Sequence, residues 1–149
     1  MDVLIRNIER IVGASISLHP FPPTAIRQWR DAGEQLPAAL CLAGDNRIFV
    51  LYREDTTPAH QRHSILHELG HICARHLPPV GETPTEELGT VPVARAKHRS
   101  FYDDSMERAA EAFAYTMESR IGLMRANENR PTDPTYQEAV DRYGSILEG

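Results

Sequence analysis

His67-Glu68-Leu69-Gly70-His71 constrains the chain more than any other feature, because it stands inside a segment with helix signals at both ends. Thr57-Pro58 reads as an N-cap followed by proline at the first helical position, where the missing N–H costs nothing. Pro78-Pro79 stops the helix, which is expected to run to Leu77. On a helix, residues four apart lie about 40° from each other around the axis, so His67 and His71 project the same way and two imidazoles can grip one ion. Zinc suits such a pair, since a catalytic zinc takes three protein ligands and leaves its fourth position to water. Glu68, about 100° round the helix from His67, borders that water and can take its proton. Ile65, Leu69, Ile72 and Cys73 fall on the opposite face as a core stripe. Glycine inside a helix costs roughly 1 kcal/mol relative to alanine, so Gly70 points to a neighbouring chain segment approaching beside the ion.

The 149 residues are 41% apolar and 25% charged, ordinary for one globular domain, and a chain of this length needs neither disulfides nor a structural metal to hold a core. A metal bound here is therefore expected to be catalytic. Lys and Arg number 16 against 21 Asp and Glu, a net charge of −5, which argues against direct nucleic-acid binding through phosphates. No apolar run approaches the ~18 residues of a membrane span, and Met1-Asp2-Val3-Leu4 lacks the start of a signal peptide, so a cytoplasmic protein is expected. Cys41 and Cys73 have no paired spacing and are expected as buried thiols.

Apolar spacing predicts an amphipathic helix over residues 2–13 that ends at Gly13, a short strand around Ile16 and Leu18, and a helix over 24–32. Residues 38–43 and 48–52, joined by Gly44-Asp45-Asn46-Arg47, form the clearest hairpin signal. Residues 78–100, rich in proline and glycine, read as a long loop able to move. A second long helix is expected from Asp103 or Asp104 to Met124, with Met106, Ala109, Ala110, Phe113, Met117, Ile121 and Met124 on one face. Asp133-Pro134 opens a last helix over 133–148. Residues 1–149 thus read as a single α+β domain, in which a small, mainly antiparallel sheet packs on the helix of the two histidines and further helices follow.

Glu107 and Glu111, one helical turn apart on the second long helix, lie beside its apolar stripe, and carboxylates at a core margin want a partner. Either could complete the metal site. The pentapeptide together with Glu107-Arg108-Ala109-Ala110-Glu111-Ala112-Phe113-Ala114 resembles the ImmA/IrrE family of zinc metallopeptidases, whose second motif reads E-x-x-A-N/D-x-F-A. Glu107, Ala110, Phe113 and Ala114 match it. The resemblance implies a zincin-like fold and a gluzincin-type site: Glu107 as third zinc ligand, Glu111 as the group that orients His67 or His71, and Glu68 as the catalytic base. Glu111 stands where the family shows Asn or Asp, and its extra methylene keeps the reverse assignment open, with Glu111 as the ligand. The implied substrate is a specific regulatory protein, such as a helix-turn-helix repressor. A zinc-binding module that engages its partner without cutting it is the alternative.

The remaining histidines and tyrosines divide by position. His60 and His63 share the face of His67 and His71, where lining the cleft or facing water is expected rather than metal binding. His76, His98, Tyr102 and Tyr115 are candidates to stabilise the oxyanion of a tetrahedral intermediate. Residues 48–52 are the expected exposed edge to which a substrate strand would add.

Overall fold

A computed structural model describes residues 1–44, 46–77 and 102–128; the loop expected over 78–100 and the helix expected over 133–148 lie outside these described residues. The elements run α1 (Asp2–Val12), β1 (Ser15–Pro20), α2 (Pro23–Asp31), β2 (Ala39–Ala43), β3 (Arg47–Tyr52), α3 (Pro58–Cys73) and α4 (Asp104–Glu128). Helix α1 ends where expected, at Gly13, whose left-handed φ of 77° only glycine adopts freely and whose N–H reaches the Glu9 carbonyl at 2.8 Å. The Glu9 carboxylate then accepts from the Ile16 N–H at 2.8 Å, which ties the start of β1 to the helix before it.

The architecture is α+β. The expected hairpin supplies the antiparallel pair, Ala39 opposite Tyr52 through Ala43 opposite Ile48. Strand β1 joins β3 from the other side and runs parallel to it, Ser15 opposite Arg47 through Pro20 opposite Tyr52, so the three-stranded sheet is mixed, in the order β1-β3-β2. The intervening α2 is the kind of crossover that a parallel pair requires. This order corrects the expectation for residues 48–52. Strand β3 is hydrogen-bonded on both sides, and among the described residues the free edges belong to β1 and β2. Nothing in an apolar strand's composition says which side a distant strand will dock on.

Alternation along the strands sends successive side chains to opposite faces, and both faces are covered. On one, Leu42 and Leu51 pack with Phe21 and with Ala25 of α2. On the other, α3 lies across β2 and β3, and α1 packs on α3 and β1. Leu66, Leu69 and Ile72 have no exposed surface, and burying such side chains stabilises by about 1.5–3 kcal/mol each. Burial on α3 extends beyond the expected stripe to Ser64, Leu66, Glu68, Gly70 and His71. The helix is enclosed on more than its sheet side.

Thr57 caps α3 as expected, its hydroxyl accepting from the His60 N–H at 3.3 Å with Pro58 in the first turn. The helix stops at Cys73, four residues before the expected end at Leu77. Arg75 takes a left-handed φ of 58°, and the Arg75 and His76 N–H groups turn back to the carbonyls of Ile72 and His71 at 3.0 and 2.9 Å. That is a Schellman termination with arginine in the place glycine usually holds. At the start of α4, one Asp103 oxygen accepts from the N–H groups of Ser105 and Met106 at 2.8 and 2.9 Å. Met1–Met117 forms one compact unit, which contains every site residue described below; Glu118–Gly149 forms a second, whose described part is the remainder of α4. No helix among the described residues is long and apolar enough to cross a membrane.

Candidate metal centre

The site exists because α3 and α4 touch at Gly70. A Cβ there would sit 2.9 Å from the Ala110 Cα, 3.0 Å from its carbonyl oxygen and 3.2 Å from the Phe113 Cβ. The first two of these are backbone atoms and cannot swing aside. Ala110 and Ala114, both fully buried, keep the facing side of α4 equally small. The segment expected beside Gly70 is therefore α4 itself, and its approach carries Glu107 and Glu111 to the two histidines. Gly70→Ala is expected to destabilise the fold by about 1–3 kcal/mol through overpacking and to weaken metal binding by displacing Glu107. Chemical denaturation and metal titration of the variant measure both; an unchanged midpoint would mean that α4 can slide away freely.

The Nε2 atoms of His67 and His71 face each other at 3.1 Å. Glu107 Oε2 lies 3.2 Å from His67 Nε2, and its Oε1 lies 3.7 Å from His71 Nε2. One donor atom from each of the three residues falls within 4.8 Å of the others. Donors about 2.0–2.1 Å from a common tetrahedral centre would stand roughly 3.3–3.4 Å apart, so the spacing fits a zinc ion. The chemistry of the set fits as well, with two neutral imidazole nitrogens and a carboxylate converging on one point.

Glu111 occupies the other side of His67. Its Oε2 lies 3.1 Å from His67 Nδ1 and its Oε1 lies 3.3 Å from His63 Nε2. Partial burial opposes its ionisation, but the hydrogen bond from His67 and the neighbouring His63 and His67 outweigh that, and the carboxyl is held below its usual range. An ionised carboxylate only accepts, so the His67 proton sits on Nδ1 and its Nε2 lone pair is free to bind metal. The two glutamates thus hold different positions: Glu107 faces the convergent nitrogens and Glu111 backs one of the rings.

His71 is 1% exposed, and burial, reinforced by His67 and His76, pushes its pKa down to about 4. The ring stays neutral throughout the physiological range. Tyr102 stacks on it with ring centroids 4.0 Å apart and planes 14° apart, and His76 tilts towards it at 5.7 Å, aimed there by the Schellman turn. Burial first, then the charges of Glu68, Cys41 and Glu107, raise the Tyr102 pKa and keep the phenol protonated. Cys41, buried as expected, has its thiol pushed up by burial and by Glu68, which places the Glu68 carboxylate near both groups. Cys73 is only half-buried, at the end of α3.

Of the candidate oxyanion donors, Tyr102 and His76 therefore lie against His71. Tyr115 is 61% exposed and stands over His63 instead, and His98 is outside the described residues. His60 faces water, and His63, partly exposed, is paired with Glu111. Its spacing from His67 was the available signal; the partner four residues beyond Glu107 became visible only when the helices crossed.

No curated protein and no solved structure matches the chain. A family model described as an IrrE N-terminal-like domain, Peptidase_M78, matches residues 26–133, a span that takes in most of α2, the hairpin and all of the residues gathered around His67. With that match over more than half of the 149 residues, the chain belongs to the IrrE N-terminal-like peptidase family.

Proposed function

We propose that the chain is a zinc-dependent endopeptidase in which His67, His71 and Glu107 hold the ion, Glu68 is the general base and Glu111 orients His67. The observation that carries this reading is the convergence of three donor atoms from α3 and α4 within 4.8 Å, inside a chain of a peptidase family. When bound, zinc would supply Lewis acidity, making a water easier to deprotonate and a carbonyl easier to attack. Glu68, 8% exposed and adjacent in sequence to His67, accepts the proton of the attacking water and delivers it to the departing amine. Tyr102, kept neutral beside His71, is the donor we assign to the developing oxyanion. Glu111 fixes the tautomer of His67, a service that metal-ligating histidines generally receive.

The substrate strand we assign to the free edge of β2 rather than to β3, since β2 packs on α3 and carries Cys41 close to Glu68. The proposed substrate, following the family resemblance, is a cytoplasmic helix-turn-helix repressor, so the chain would act on transcription without touching DNA. The test begins with untagged protein, expected to hold about one zinc per chain. Incubation with the repressor is then followed by intact-mass analysis, where two fragments summing to the repressor plus water are expected. A tight complex with an unchanged partner mass would make the chain a zinc-dependent binding module. Absence of zinc after reconstitution would remove the peptidase reading altogether.

A further inference from the structure

We propose that His63 is a positioning residue of the metal centre, clamping Glu111 so that its second oxygen holds the His67 ring in the metal-binding tautomer; this rests on the reading of His67 as a ligand. His63 and His67 stand one turn apart on α3, and Glu111 and Tyr115 one turn apart on α4, so the four side chains form a square across the helix crossing. The Glu111 carboxylate spans it, with Oε1 3.3 Å from His63 Nε2 and Oε2 3.1 Å from His67 Nδ1. The edge of the square is closed by His63 and Tyr115, whose rings meet at 5.3 Å and 60°.

The clamp answers a problem created by the glutamate. Its side chain is 41% exposed and has one more rotatable bond than the Asp or Asn expected there, so holding it against one histidine costs more side-chain entropy. A second N–H donor on the other oxygen fixes its rotation, and a neutral His63 with its proton on Nε2 suffices. The longer side chain and the additional histidine are therefore one device: glutamate reaches two rings at once, and the second ring is what orders it. The arrangement extends the orienting chain one residue beyond the group that touches the ligand, a layer that metal sites use to set affinity.

The test measures zinc affinity by competition with a chromophoric chelator, and the visible spectrum of the cobalt-substituted protein. The proteins are wild type, His63→Phe, His63→Gln, Glu111→Ala and the two His63 variants in the Glu111→Ala background. Phe keeps a ring against Tyr115 and removes the donor; Gln keeps an N–H donor. We expect His63→Phe to weaken zinc about tenfold, at the lower end of what groups outside the ligand set contribute, and to broaden the cobalt bands. His63→Gln should recover most of both, and neither variant should cost anything further once Glu111 is alanine. Metal-free thermal midpoints, expected to match wild type in both His63 variants, separate positioning from a fold defect. Wild-type affinity in His63→Phe would overturn the proposal, as would an equal loss in the Glu111→Ala background. A wild type that binds no zinc would fail the underlying reading, and the proposal with it, in a way distinct from both.

Discussion

Alanine at His71 or Glu107 is expected to abolish stoichiometric zinc, while alanine at Glu111 leaves the ion in place at reduced affinity. The difference follows from which atoms face the convergence point. His71 contributes an Nε2 that is already neutral, because burial and its histidine neighbours hold its pKa to about 4. Glu107 has both oxygens turned towards the two Nε2 atoms, at 3.2 and 3.7 Å. Glu111 reaches the opposite side of the His67 ring, so its loss frees the tautomer without removing a donor. Groups in that position are worth about 10–100-fold in metal affinity, and removing a direct ligand should exceed that range. Elemental analysis after equilibrium dialysis distinguishes the three variants. Zinc kept in Glu107→Ala and lost in Glu111→Ala would reverse the roles of the two glutamates, the assignment that the longer side chain at 111 left open.

What could be read from the chain and what could not are separated by the range of the signals. The Thr57-Pro58 cap, the hairpin and the Gly13 stop are local, and each appears where its residues place it. Gly70 is a local oddity with a distant cause, so its presence was legible as a close approach while the identity of the approaching residue, Ala110, was not. Helix α3 ends earlier than its sequence suggests because Arg75 adopts a left-handed conformation that arginine does not advertise, whereas Pro78-Pro79 is a louder but later stop. That early turn matters to the site, since it brings His76 back towards His71. The central position of β3 depends on where β1 docks, a choice made by α2 and the packing of both sheet faces rather than by any strand's own pattern. His63 belongs to the same class: its helical spacing was plain, but a bridging carboxylate needs two helices at a fixed crossing.

Glu68→Gln is expected to keep zinc and lose about 10²–10⁴ of the cleavage rate, the usual share of a positioned general base. Glutamine has nearly the same shape, so the packing of a residue 8% exposed on a helix between sheet and α4 is conserved. What it lacks is a carboxylate to receive a proton. The charge of Glu68 helps raise the pKa of both Tyr102 and Cys41, so the carboxylate lies within electrostatic reach of the ring stacked on His71. Since it does not belong to the convergent donor set of His67, His71 and Glu107, its replacement should leave metal stoichiometry and the cobalt spectrum unchanged. A variant that binds substrate and cannot cut it also serves as a trap: the partner it retains should be cleaved when wild type is added. Single-turnover measurements on that partner then fix the rate ratio. Full activity with zinc retained would remove Glu68 from the chemistry and leave the proton to another group. Loss of zinc would instead show that the carboxylate supports the architecture of the site, since glutamine preserves its volume and removes only its charge.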